Sequence, residues 1–101
     1  MPIQVSITKS TNPKKKYTAV FSHHVEGKLK KIKTTHFGSG GMSDYTIHKD
    51  KARKELYLKR HAKREDWNKY MTAGSLSRYI LWNKPSFNQS VTDYKKKFKL
   101  K

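Results

Sequence analysis

Ile3, Val5 and Ile7 alternate with Gln4, Ser6 and Thr8, a period of two that predicts a half-buried strand at the start of the chain. Asn12-Pro13 interrupts the pattern. Tyr17, Ala19 and Phe21 restore it in a second strand, which places Lys14, Lys15 and Lys16 on an exposed hairpin tip. Gly27 marks the next turn, and Leu29 to Phe37 gives a third strand whose apolar positions are diluted by Lys28, Lys30, Lys31 and Lys33. The opening third therefore reads as a three-stranded antiparallel meander. Gly38-Ser39-Gly40-Gly41 follows as a flexible break.

From Ser43 onward the period becomes helical. Asp50 to Arg64 is rich in helix formers, carries Glu55 and Lys59 four residues apart, and sets Tyr57, Leu58 and His61 on one side of the wheel. Thr72 is suited to cap a second helix, Ala73 to Trp82, and the apolar residues Leu76, Tyr79, Ile80, Leu81 and Trp82 surround it, which predicts the buried element. Pro85 ends it, because the residue before a proline is kept out of the helical region. Ser86 and Gln89 have capping-box spacing for a third helix, in which Phe87, Val91, Tyr94 and Phe98 form a narrow apolar stripe and Lys95, Lys96, Lys97 and Lys99 stay in water. The expected fold is α+β, a single compact domain over residues 1–101. It divides into a β-rich basic part (1–37, about three antiparallel strands), a glycine-rich hinge (38–42) and a helical part (43–101, about three helices on one face of the sheet).

Charge changes this picture most. Against 24 Lys and Arg stand seven Asp and Glu, a net charge of +17 on 101 residues. Residues 1–33 carry eight Lys against Glu26, residues 67–101 carry eight Lys or Arg against Asp93, and five of the seven acids lie between Asp44 and Asp66. Charge at this density repels itself, so an acidic partner is expected. The 12 aromatic residues argue for a folded chain, because disordered segments are poor in such rings. The absence of Cys removes disulfides and thiolate zinc sites and fits a reducing compartment. No signal peptide and no apolar run of membrane-spanning length stands out, so a soluble, intracellular protein is expected.

The residues give little support to catalysis. Five histidines, His23, His24, His36, His48 and His61, lack an HExxH arrangement, and solvated or structural roles are expected for them rather than metal ligation. Asp44 and Asp50, six apart at a loop-to-helix junction, are read as helix-end charges. The glycine run lacks the following Lys-Ser/Thr of a phosphate loop. No catalytic residue, cofactor, metal or small-molecule substrate is expected. The stronger signal is basic residues interleaved with aromatics. Lys14, Lys15, Lys16, Lys30, Lys31, Lys33, Arg53, Lys54, Arg60, Arg64, Lys95, Lys96 and Lys97 are the candidate contacts to a polyanion or acidic partner, and Tyr57 and Trp67 are candidate stacking rings. Core packing by the two rings and solvation of a basic helix face are the competing readings.

His36-Phe37-Gly38, Asp44 to Asp50 (DYTIHKD), Tyr57 to His61 (YLKRH), Glu65-Asp66-Trp67-Asn68, Thr72-Ala73-Gly74 and Leu76 to Lys84 (LSRYILWNK) together resemble a family of small basic proteins encoded by nucleocytoplasmic large DNA viruses, the giant viruses. The resemblance runs from Thr34 to Leu100. That family has no assigned activity, so the resemblance implies a viral source and one compact domain and carries over no catalytic residue. Combined with the charge, it leads to the expectation of a structural component of the virus particle, a minor capsid or core protein. Its partners would be viral capsid or core proteins, met in the virion and in the host cytoplasm or nucleus during assembly. Sequence-independent binding to DNA or RNA through phosphate contacts is the alternative.

Overall fold

The computed structural model describes residues 3–101, and its element order follows the expected one closely. Three antiparallel strands, β1 (Gln4–Lys9), β2 (Lys15–Val25) and β3 (Lys28–Ser39), form a meander in the order β1-β2-β3. Four short helices follow: α1 (Tyr45–His48), α2 (Lys51–His61), α3 (Ala73–Leu76), which runs on into a π-helical turn (Ser77–Leu81), and α4 (Phe87–Lys97).

Register puts one face of the sheet into the core. Val5 pairs with Phe21, Ile7 with Ala19, and Tyr17 with Phe37, and residues directly opposite share a side of the sheet. Ala19, Phe21 and Phe37 are fully buried there against Leu76, Ile80, Leu81 and Tyr94. The apolar ring around the central helix has its explanation in the π-helical turn. Closing it from the Trp82 N–H to the Ser77 carbonyl, five residues back, widens the turn and brings Leu76, Ile80 and Leu81 toward one side. Tyr94 anchors α4 to the same core and donates its hydroxyl to the Tyr70 carbonyl.

Caps form where short polar side chains precede each helix. Asp44 accepts from Thr46 N, Asp50 from Ala52 N, Thr72 from Ser75 N, and Ser86 from Gln89 N. The helix-end reading of Asp44 and Asp50 is therefore what the structure contains. Lys99, in the left-handed region at φ 55, ends α4, and the Leu100 N–H returns to the Lys95 carbonyl in a Schellman arrangement. That reversal lets Lys101 bridge β1, donating to the Ile3 carbonyl and accepting from Val5 N.

Two boundaries differ from expectation. The hinge assigned to 38–42 begins inside β3, which runs to Ser39, and Gly40 N donates to the Lys14 carbonyl across the hairpin base. Two of the glycines permit close approach: a Cβ on Gly38 would lie 2.8 Å from Leu81 Cδ1, and one on Gly40 would lie 2.5 Å from the Pro13 carbonyl oxygen. Likewise Lys15 and Lys16 are not on a hairpin tip. They open β2, and the turn before them is closed by Lys15 N on the Asn12 carbonyl.

The second hairpin turn consists of Glu26 and Gly27, both at positive φ (53 and 77), the backbone of a two-residue type I′ turn. Between Phe21/Lys33 and Ser22/Lys31 the register slips, leaving Ile32 as the extra residue of a bulge. Beyond that bulge the hairpin outruns the helices. Every residue from Lys28 to Thr34 is exposed, and the molecule is correspondingly long, 47 Å against 27 and 25 Å in the other directions.

Candidate functional site

Two cationic features stand at opposite ends of β2. At one end is the projecting ribbon, residues 22–33. Here the pairs His23–Lys30 and Val25–Lys28 continue the side of the sheet that carries Phe21, while Ser22–Lys31 and His24–Leu29 lie on the other. Lysines therefore leave the ribbon from both sides. Ten residue steps separate Lys15 from Val25, about 33 Å along an extended strand, and at the far end lies a cleft of about 740 Å³.

The cleft opens between the Lys15–Ser39 end of the sheet, α1, α2 and the π-helical turn. α2 places Arg53 and Arg60 seven residues apart, hence on one face and about 10 Å apart along the axis, with Leu56 and Tyr57 between them. Lys15 enters from the sheet side. Two carboxylates also line it. Asp44, only 2% exposed, is held by Lys16 and the Thr46 backbone and hydroxyl. Glu65 lies against Gly74, whose missing Cβ makes room for the carboxylate at the start of α3, where a negative charge is favoured.

A column of aromatic rings, of which His61, Tyr57, Trp82 and His48 line the cleft, forms one wall. His61 stacks on Tyr57 (4.2 Å between centroids) and Tyr57 on Trp82 (4.3 Å, planes 3° apart). Trp82 then meets His48 (5.3 Å), and His48 meets Tyr45 (6.3 Å). Because His61 and Trp82 both stack closely on Tyr57, they must occupy its two faces. Burial pushes the Tyr57 hydroxyl up to about 12, with a smaller push from the Glu65 carboxylate. His48 Nδ1 accepts from Asp50 N, so the proton of the neutral ring sits on Nε2, a buried donor with no protein acceptor.

The candidate residues sort accordingly. Lys14, Lys15, Lys30, Lys31, Lys33, Arg53, Arg60, Arg64, Lys96 and Lys97 are exposed, and Lys95 is half-buried. Three others depart from expectation. Lys16 is engaged by Asp44, the one ion pair among the described residues. Lys54 donates to the Asn83 carbonyl (2.6 Å), lies 5.1 Å from the Tyr45 ring, and has its pKa lowered by burial and then by Arg78 and Lys51. It joins α2 to the loop after the π-helical turn. Tyr57 has no free face for a base, because packing against Trp82 and His61 uses both. Trp67 is half-buried, with the Arg78 guanidinium 5.3 Å from its ring centre.

Arg78 was not among the sequence candidates. Its guanidinium is half-buried beside Trp67 and Tyr79, donates to the Trp82 carbonyl at 3.3 Å, and has its pKa lowered by burial. Nothing in local spacing distinguishes it from a surface arginine. His48 was met only as a dispersed histidine, since its partner Trp82 is 34 positions away. Among the other histidines, His36 Nδ1 lies 2.9 Å from the Ser10 hydroxyl and 2.8 Å from that of Thr18. The described residues contain no group of three or more His, Cys, Asp or Glu able to hold a metal ion.

Residues 5–61, more than half of the chain, match the family model described as "Family of unknown function (DUF5754)", and the chain belongs to that family. The matched span contains all but the first residue of the sheet, together with α1 and α2, and so includes the ribbon and the α2 wall of the cleft. No curated protein and no solved structure matches the chain. No helix among the described residues is long and apolar enough to cross a membrane.

Proposed function

We propose that this protein is a non-enzymatic basic structural protein of a large DNA virus particle, a minor capsid or core component that joins acidic surfaces. The observation that carries the reading is that exposed cations stand at both ends of β2, which is about 33 Å long: Lys28, Lys30, Lys31 and Lys33 on the ribbon at one end, and Lys15, Arg53 and Arg60 at the cleft at the other. One small domain with cations at both ends of its long dimension can touch two acidic partners at once. The resemblance of residues 34–100 to small basic proteins of giant viruses supports the particle as the setting.

A second reading has its own support in the ribbon. Two antiparallel strands are an object that fits a B-DNA major groove, and lysines on both sides can meet phosphates on both strands. In this reading the protein binds DNA or RNA without regard to sequence. Lysines on an edge strand also discourage edge-to-edge pairing, which is the purely structural role they would otherwise have.

One variant separates these readings. Lys28, Lys30, Lys31 and Lys33 are replaced together by Gln, and the variant is measured for DNA affinity and for incorporation into fractionated particles. The proposal expects incorporation to fall while DNA affinity at physiological salt falls little. Loss of DNA affinity with a salt slope shallower by about 3 to 4, and incorporation unchanged, overturns the structural reading in favour of nucleic-acid binding.

A further inference from the structure

We infer that the cleft at the Lys15 end of the sheet is a binding pocket for the phosphate chain of a polyphosphate or nucleoside triphosphate, separate from the contacts made by the ribbon. Its volume of about 740 Å³ lies within the range of small-molecule sites. Arg53 and Arg60 face it from α2 and Lys15 from the sheet, all three exposed and none in an ion pair with a carboxylate. Of the two carboxylates at its wall, Asp44 is paired with Lys16, while Glu65 lies against Gly74 at the start of α3 in no ion pair. Against three unpaired cations stands one unpaired carboxylate, so the mouth keeps a net positive charge.

The arrangement selects the ligand class. Cations spread over about 10 Å on one helix face, with another opposite, suit a chain of several phosphates better than one compact anion. Bidentate guanidinium contacts to phosphate oxygens are the strong form of such binding. His48 lines the same wall, and its Nε2–H is buried there without a protein acceptor. The wall does not supply a platform for a base: Tyr57 is covered by His61 and Trp82, and Trp82 is flanked by Tyr57 and His48. Recognition is thus of the phosphates, with little discrimination among nucleosides.

The probes are tripolyphosphate, ATP, GTP and CTP, titrated by calorimetry and by amide NMR at about 0.15 M salt, where exposed charges more than about 8 Å apart are largely screened. Shifts are expected to cluster at Lys15, Arg53, Arg60 and the His48 side chain, with the four probes binding within about threefold of one another. The double variant Arg53→Gln/Arg60→Gln should weaken tripolyphosphate by about tenfold or more, since it removes two charge-assisted contacts. A charge-matched control on the ribbon, Lys30→Gln/Lys33→Gln, should change it less than twofold. Equal losses in the two double variants, or shifts spread along the ribbon, would mean that net charge alone binds the probe and would overturn the pocket. A single nucleotide binding more than tenfold tighter than tripolyphosphate would overturn the ligand class. If the arginine double variant melts early, Arg60→Gln alone, at an exposed position, keeps the comparison. None of these outcomes depends on whether the ribbon meets protein or nucleic acid.

Discussion

Between Tyr17 and Ser22 β2 lies under helices, with Ala19, Phe21 and Phe37 fully buried and Ser22 7% exposed; beyond Ser22 the same ladder continues past them, and β3 is exposed from Lys28 to Thr34. The backbone pairing is alike in both halves. What differs is the other side of each residue. In the near half, the faces meet Leu76, Ile80 and Leu81, so apolar burial holds the strands and fixes their register. In the far half only ladder bonds, the bulge and the Glu26-Gly27 turn hold them, and water is free to solvate every lysine head group. The contrast shows how a small basic protein keeps a packed core. Its apolar positions are concentrated where helices cover them, and Lys28, Lys30, Lys31 and Lys33 are carried on a part that burial does not need.

The largest test of this contrast is in the near half. Ile80→Ala removes methylenes from a site with no exposure and should cost about 2 to 5 kcal/mol, read as a lowered denaturation midpoint. A change under about 1 kcal/mol would mean that the helices do not bear on the sheet as described. Gly38→Ala comes next, at about 1 to 3 kcal/mol. It places a Cβ 2.8 Å from Leu81 Cδ1 and asks alanine to adopt φ 79, while Leu81, only 2% exposed, has little room to retreat. The same measurement on Gly27→Ala sharpens the reading, because Gly27 also has positive φ (77) but nothing within 4 Å of its would-be Cβ; the difference between the two isolates the contacts with Leu81 and Lys16 from the cost of the backbone angle. The smallest effect belongs to the far half. Replacing Lys28, Lys30, Lys31 and Lys33 by Gln should move stability by no more than about 0.5 kcal/mol. Hydrogen exchange gives the matching signature, with amides of His23 to Lys31 exchanging well before those of Ala19 and Phe37. Uniform protection along the hairpin would break the comparison outright.

Much of this architecture was legible because the deciding interactions are local. Period-two alternation at Ile3–Ile7 and Tyr17–Phe21 located two strands. Asp44, Asp50, Thr72 and Ser86 marked helix starts because a cap needs only a short acceptor two or three residues before a backbone N–H. The third strand was blurred for a reason now visible: much of it has nothing to pack against, so no apolar alternation is required of it. The start of the glycine run was assigned to a hinge although β3 runs on to Ser39, because flexibility and close approach call for the same residue, and only the positions of Leu81 and Lys14 show the tight packing at Gly38 and Gly40.

Composition and order along the chain by themselves determined the excess of cations, the concentration of net charge at the two ends, the strand-then-helix sequence and the apolar residues of the central helix, since each is read from the residues themselves or from neighbours within a few positions. Tertiary structure alone decided which cations stay available. Lys16 and Lys14 look equivalent in sequence, yet one meets Asp44 from 28 positions away and the other meets water. It also decided that Tyr57 is the middle of a ring column and not a platform, and that Arg53 and Arg60 share a cleft with Lys15. Pairing of charges and stacking of rings act over a few ångströms in space, and residues distant in sequence are brought within that range only when the helices close over the sheet.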